Sequence, residues 1–161
     1  MSTSPALAIE PTSLYEDDFY GWIGRQVALV KAGRNDEVDL ENIAEELDDL
    51  GKSIYRELEN RVAGLVQHVL KWEYQPDRRA RSWEATIREQ RKRIAKLLNE
   101  SPSLKPKLDE ALREGYDYGR NRASGDTDLP IEIFPEQRPY SWEDLMEKEF
   151  SMDASPAPGP K

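Results

Sequence analysis

Apolar residues recur at every third or fourth position through a long stretch in the first half of the chain. They are Leu40, Ile43, Leu47, Leu50, Ile54, Leu58, Val62, Leu65, Val69 and Trp72. Turned by about 100° per residue, they fall on one narrow arc of a helical wheel, and their phase does not slip across Gly51. The pattern therefore predicts a single helix from Asp39 to Tyr74, capped by Asp39 and ended by Pro76.

The apolar arc of this helix widens in its second half. From Val62 onward it also takes in Ala63, Val66 and Leu70. A helix that is apolar on more of its circumference is covered on more sides. We therefore expect this helix to be the central element of the fold.

A shorter helix is predicted before the long one. Ser13 and Glu16 have the spacing of a capping box, acidic Asp17 and Asp18 follow, and Gly33 marks the end. Its expected buried residues recur at helical spacing, with Trp22 and Tyr20 at the edges: Phe19, Ile23, Val27 and Val30. This stripe is expected to pack on another element.

Two further helices and an extended segment are predicted after Pro76. One helix spans about residues 82–99 and buries Trp83, Ile87, Ile94 and Leu98. The next is capped by Ser101 with Pro102 at its first position, and its stripe includes the small residues Gly115 and Gly119, which permit close helix approach. The Pro-rich stretch LPIEIFPEQRPYS is expected to run extended with Ile131, Ile133 and Phe134 buried, before a short last helix after Ser141.

These elements define the predicted fold class. We expect an all-α, single-domain helical bundle of four to five helices around one long central helix, with an extended Pro-rich segment near the C-terminus. Residues 1–11 are predicted to be a flexible N-terminal segment, 12–150 the helical domain, and 151–161 a disordered Pro-rich tail.

Composition narrows the class of protein. The 161 residues include no cysteine, which excludes disulfides and thiolate metal sites and favours a reducing, cytoplasmic location. No secretory signal or membrane span is evident, and the formal net charge of −9 disfavours general attraction to anionic polymers or lipids.

One segment departs from this acidic average. Residues 71–96, here called the basic segment, contain nine basic and four acidic residues, a net charge of +5. Its candidate basic surface consists of Arg78, Arg79, Arg81, Arg88, Lys92 and Arg93. These cations can bind an external polyanion, but we expect them to meet acidic groups of the chain itself. Trp72, Tyr74 and Trp83 lie among them and would offer stacking faces to single-stranded nucleic acid, although core packing explains the two tryptophans more simply.

Five stretches of the chain carry a resemblance to a known family. They are LYEDDFYGW, DLENIAEELDDLG, HVLKWEYQPDRRARSWEATIREQR, SPSL and LPIEIFPEQRPYSWEDL, in this order from Leu14 to Leu145. The chain resembles the bacterial family known as domain of unknown function 29. The resemblance implies a helical protein and supplies no activity and no functional residues.

Polar residues within the apolar stripes are the remaining candidates for a site. Glu57, Arg61, His68, Gln90 and Arg91 are predicted to form a buried polar network that fixes helix register, or else a pocket for an anionic ligand. We expect a Glu57–Arg61 ion pair one turn apart. Arg91 is expected to be buried and paired with a carboxylate of another helix, with Glu57, Glu46 and Glu41 as candidates.

A metal site and a cofactor are not predicted. Glu46, Glu57 and His68 lie on one edge of the long helix, but neighbours eleven residues apart are separated by roughly 16 Å. No ligand set can form over that distance, so His68 is interpreted as a structural histidine.

Three functional hypotheses follow. The preferred one is a non-catalytic protein-interaction module that binds a protein partner or itself. The second is a nucleic-acid-associated protein that uses the basic segment, and the third is a ligand binder or enzyme with a pocket near Arg61, His68 and Arg91. No catalytic residue is assigned, because the chain has no recognisable nucleophile, phosphate loop or metalloprotease motif.

Overall fold

The computed structural model describes residues 11–153, with side chains from Leu14 onward, and within that range it contains helices and no strand. The α-helices are α1 (Pro11–Asp17), α2 (Phe19–Lys31), α3 (Leu40–Tyr74), α4 (Arg81–Glu100), α5 (Leu108–Thr127) and α6 (Trp142–Glu147). Short 3-10 turns lie at Asn35–Glu37, Pro76–Arg78, Pro102–Lys107 and Ile131–Ile133. The protein is therefore all-α with one long central helix, as predicted.

The chain groups into two compact units, one ending at Lys52 and the other beginning at Ser53. The first contains α1, α2 and the start of α3, and the second contains the rest of α3 and α4–α6. The single-domain organisation stays a prediction. The N-terminal segment expected to be flexible lies outside the described residues except for Pro11, as does the predicted tail beyond Asp153.

The long helix forms as predicted. α3 runs through Gly51 without a break, and the space around Gly51 within 4 Å holds no other group that a side chain would meet. The residue costs some helix propensity but disturbs no packing. Asp39 caps the helix, because its Oδ1 accepts a hydrogen bond from the backbone N–H of Asn42 at 3.2 Å.

The prediction of one helix before α3 is wrong, because this part of the chain forms two helices, α1 and α2. Asp18 lies between α1 and α2 and is not helical. It caps α2, because its Oδ1 accepts a hydrogen bond from the Gly21 backbone N–H at 2.9 Å. The predicted cap by Ser13 lies outside the residues whose side chains the structure describes. Gly33 ends α2 in the left-handed region at φ +70°, as predicted.

The face that α2 buries also differs from the prediction. The buried residues are Trp22, Gln26 and Leu29, whereas the predicted stripe of Phe19, Ile23, Val27 and Val30 is 40–54% exposed. The two sets occupy adjacent arcs of the same helix. Hydrogen bonds of Trp22 and Gln26 to Asp39, described below, fix α2 in this rotation.

In the second unit, α3 and α5 pack closely because α5 presents glycines to α3. A Cβ added to Gly115 would lie 2.6 Å from Val62 Cγ1, and one added to Gly119 would lie 2.7 Å from the Ala63 carbonyl oxygen. The core formed around this contact includes fully buried Leu58, Leu65, Val69, Ile94 and Leu112. The central position predicted for the second half of α3 follows from this packing.

Two predicted details of the later elements need correction. Residues Pro102–Lys107 form a 3-10 turn and α5 begins only at Leu108, because Pro106 has no N–H to give to a regular helix. In the Pro-rich stretch, Phe134 is buried at 1% exposure as expected, but Ile133 is 48% exposed and the 3-10 turn at Ile131–Ile133 interrupts the extended run. α6 starts after Ser141, which forms a capping box with Asp144.

The α3–α5 contact generates the first prediction. Gly119→Ala should destabilise the protein by about 1–3 kcal/mol, because the added methyl group overpacks against the α3 backbone. Gly125→Ala, on the same helix with nothing within 4 Å, should stabilise it by up to about 1 kcal/mol through helix propensity. Urea unfolding of both variants checks this, and equal effects would mean that α3 and α5 are not in close contact.

Candidate functional site

The turn between α2 and α3 is held by three side chains around Asp39. The Trp22 indole N–H donates to Asp39 Oδ2 at 3.2 Å, and Gln26 Oε1 accepts from the Asp39 backbone N–H at 2.9 Å. Partial burial alone would raise the pKa of Asp39, but hydrogen bonds from Asn42 and Trp22 outweigh it and leave the pKa lowered. The ionised Asp39 therefore fixes how α2 and the start of α3 meet.

An apolar groove lies along this helical hairpin. Its volume is about 390 Å³, and the surface it offers to solvent is carbon. The lining residues are Trp22, Ile23, Gln26, Val27, Val30, Lys31, Ile43, Glu46 and Leu47. The groove thus lies within the first unit, where the wrongly predicted α2 stripe meets the first turns of α3.

The groove belongs to a wider apolar face. We define this apolar face as Phe19, Ile23, Val27 and Val30 of α2 with Leu40 and Leu47 of α3, each between 40% and 68% exposed. Monomeric proteins scatter single apolar residues over their surfaces, but contiguous groups of this kind mark binding sites. The apolar face is therefore the candidate functional site.

The predicted polar network forms only in part. Arg61 donates to Glu57 at 3.3 Å, as expected for residues one turn apart, but the Arg61 Nε is buried without a hydrogen-bond partner. His68 Nδ1 lies 2.9 Å from the Gly64 carbonyl oxygen, which can only accept, so Nδ1 carries the proton. Burial lowers the pKa of His68, and the neutral ring serves as a structural group.

Gln90 contacts the same face of α3. Its Nε2 would lie 3.4 Å from a Cβ at Gly64, and its Oε1 is buried without a partner. Arg61, Gly64 and His68 share one face of α3, and Gln90 of α4 contacts that face at Gly64.

The predicted partner of Arg91 is wrong. Its guanidinium donates to two backbone carbonyl oxygens, Leu145 O and Lys148 O, both at 2.7 Å, and not to a carboxylate of α3. These carbonyls lie at the end of α6, where helical partners are missing, so a cation there satisfies orphan acceptors. Arg91 is half-buried, and desolvation lowers its pKa.

The candidate polar residues do not share one pocket. Arg61 lines an open groove with Ser53, Arg56, Glu57 and Asn60, while Arg91 lines another with Ile87, Phe150 and neighbouring charged residues. Among the described residues, no group of three or more histidine and acidic side chains is placed to hold a metal ion.

Much of the basic segment contacts the chain itself. Arg81 forms two hydrogen bonds with Asp153, at 3.0 and 3.1 Å, and Arg79 donates to the Trp72 carbonyl oxygen at 2.8 Å. Arg88 and Arg93 pair with acids one turn earlier on α4, at 3.6 and 2.8 Å. Arg78 and Lys92 are exposed, and neither forms an ion pair with a carboxylate of the described residues.

Two charged clusters were not foreseen from sequence. Lys71 is only 8% exposed, pairs with Asp126 of α5, and lies 4.5 Å from the centre of the Trp83 ring. The sequence did contain a signal for its burial, because Lys71 stands between the apolar residues Leu70 and Trp72. Glu73 accepts from Tyr140 at 2.5 Å and pairs with Lys148 at 2.7 Å, which ties the chain after α5 to α3.

The third unforeseen cluster joins two acids. Glu59 of α3 hydrogen-bonds to Glu114 of α5, and Tyr55 also donates to Glu114 at 3.1 Å. Burial and the neighbouring carboxylate raise the pKa of Glu59 to about 7, while the pKa of Glu114 is lowered. Below about pH 7, Glu59 is therefore the member of the pair that carries a proton and donates it to Glu114.

These features define an all-α protein built on one long helix, with charged side chains that join its helices and an apolar face on its N-terminal hairpin. A family model described as "Domain of unknown function DUF29" matches residues 14–151, and the chain belongs to this family. No curated protein and no solved structure matches the chain. Among the described helices, none combines the length and apolar character needed to cross a membrane.

The contacts of Arg91 generate the second prediction. Arg91→Met should reduce the stability of the protein by about 1–3 kcal/mol, because two charge-assisted hydrogen bonds to the end of α6 are lost. Limited proteolysis should then cut near residues 145–153 faster than in the wild type. Arg88→Met on the exposed side of α4 is the control, and equally fast cutting in both variants would contradict the assignment.

The Glu59–Glu114 pair generates the third prediction. Because the folded-state pKa of Glu59 is raised from 4.5 to about 7, its contribution to stability is present below pH 4.5 and is lost as the pH rises through 7. Glu59→Gln retains a donor to Glu114 without an ionisable proton, so its stability should fall less over this interval. Urea unfolding at a series of pH values measures the difference in unfolding free energy between the wild type and Glu59→Gln. Both proteins contain His68, so its titration cancels in this difference.

The matched control for this prediction is Glu57→Gln, an exposed acid two residues earlier on α3. It should lose stability with pH as the wild type does. Identical pH profiles for the wild type and Glu59→Gln would show that the two acids do not share a proton.

Proposed function

We propose that this protein is a non-catalytic helical interaction module that binds a polypeptide partner through the apolar face. The observation that carries the proposal is the apolar groove between α2 and the start of α3, whose wall is carbon and whose flanking residues are about half exposed. Removing such a surface from water contributes about 25 cal/mol per Å² to a complex, and only what exceeds the cost of ordering the two partners appears as affinity.

The preorganised hairpin supports the proposal. Trp22 and Gln26 bind Asp39 and hold α2 in a rotation that leaves its most regular apolar stripe outward. A surface that is rigid before binding loses little conformational entropy on association. An amphipathic helix or helical hairpin laid along a groove is a common way to use such a face.

The basic segment offers less support for a nucleic-acid role. Arg81, Arg88 and Arg93 have carboxylate partners within the chain, and Arg79 has a backbone acceptor. A polyanion would have to displace these contacts. The proposed location is the cytoplasm, which the absence of cysteine favours.

The fourth prediction tests the apolar face in the native cell. A photo-crosslinking amino acid at Val27, inside the groove, should form an adduct with a polypeptide, and the adduct should disappear in a Leu47→Glu background because a charge is then buried at the contact. The same probe at Ala28, exposed on α2 but outside the groove, should form no adduct. Equal adducts from both positions, or none from Val27, would contradict the proposal.

A further inference from the structure

The apolar face has the extent that a dimer interface requires. Its six side chains are 40–68% exposed, so at roughly 150 Å² for a fully exposed side chain, the lower end of the aromatic range, they present on the order of 500 Å² of apolar surface. A standard interface buries about 800 Å² per partner, of which about 65% is apolar in homodimers. The face by itself supplies that apolar share.

The face extends over two helices, which suits a second copy of itself as the partner. It spans two helices joined by a short turn, and its apolar residues lie on adjoining arcs of α2 and α3. Two hairpins of this kind cover one another as a four-helix bundle, the arrangement in which each helix buries one stripe. A single partner helix would fill the groove and leave the outer residues, such as Leu40, in water.

Charges at the edges of the face are complementary under two-fold symmetry. On the helical wheel, Lys31 lies beyond Val27 at the edge of the α2 stripe, although its side chain also lines the groove. Glu41 lies beyond Leu40 at the edge of the α3 stripe, and both residues are exposed. The end of α2 and the start of α3 are adjacent in the chain, so these residues lie at the same end of the hairpin. A two-fold axis parallel to the hairpin would place α2 of one copy over α3 of the other, with Lys31 facing Glu41.

Resting on the proposed function, we infer that the partner of the apolar face is a second copy of this chain, docked isologously so that α2 and α3 of two copies form a four-helix bundle. In an isologous interface each substitution acts twice, once on each side. Single charges placed in the face should therefore have a large effect on association.

The fifth prediction is tested by sedimentation equilibrium of the purified full chain over a wide range of concentrations. The wild type should be a reversible dimer, and Val27→Glu and Leu47→Glu should each weaken association by at least about a hundredfold, because each buries two unpaired charges. Ala28→Glu, exposed outside the groove, should remain a dimer. Circular dichroism and urea unfolding of each variant verify that the monomer remains folded.

Charge reversal tests the geometry of the dimer independently of folding. Lys31→Glu should weaken the dimer severalfold, and adding Glu41→Lys should restore it, since the pair is re-formed with opposite polarity. A wild type that is monomeric at all concentrations, or a dimer unchanged by Val27→Glu and Leu47→Glu, would overturn the inference. A monomeric wild type that still gives a Val27 adduct with a different polypeptide would overturn the second-copy inference and leave the proposed function standing.

Discussion

The structure depends on how the apolar stripe of α3 is covered along its length. In the second unit the stripe is fully buried at Leu58, Val62 and Leu65, where the glycines of α5 allow the two backbones to approach closely. In the first unit the same stripe continues, but Leu40 and Leu47 are 68% and 62% exposed. Apolar surface left in water costs about 25 cal/mol per Å². The stripe of α3 is regular over its whole length but is covered over only part of it, and the uncovered part favours association.

Regular apolar spacing made the main helices predictable from the sequence. The ten positions from Leu40 to Trp72 predicted α3 through Gly51, and the small residues Gly115 and Gly119 predicted the close contact on α5. Both depend on local periodicity and side-chain size, which are read directly from the chain. The Glu57–Arg61 ion pair was also predictable, because the two residues lie one helical turn apart.

Specific polar contacts made the rest unpredictable. Periodicity favoured burying Ile23 and Val27, but the hydrogen bonds of Trp22 and Gln26 to Asp39 rotate α2 so that the neighbouring arc is buried. Arg91 was expected to meet a carboxylate, yet its partners are backbone carbonyls, and every helix end offers such acceptors regardless of sequence. The hydrogen bond between Glu59 and Glu114 depends on the relative placement of α3 and α5, which no spacing along one helix reveals.

The charges of the chain act mainly between its own elements. Lys71 joins α3 to Asp126 of α5, Arg81 binds Asp153, and Glu73 holds Tyr140 and Lys148. The Arg81–Asp153 pair is exposed to solvent, but Lys71 is buried and Glu73 partly buried. These two charges help to fix which elements meet, because a mispaired arrangement would leave a desolvated charge without a partner. The basic segment is thus paired largely within the second unit, whereas the first unit carries most of the acidic excess of the chain together with the apolar face.

The central claim is that the apolar face is open in the single chain and covered when the chain associates. Hydroxyl-radical footprinting of the side chains, followed by mass spectrometry at increasing protein concentration, tests it most directly. Phe19, Leu40 and Leu47 should become protected as concentration rises, while exposed Tyr118 of the second unit keeps its reactivity. Unchanged reactivity of the three apolar side chains at every concentration would contradict the account.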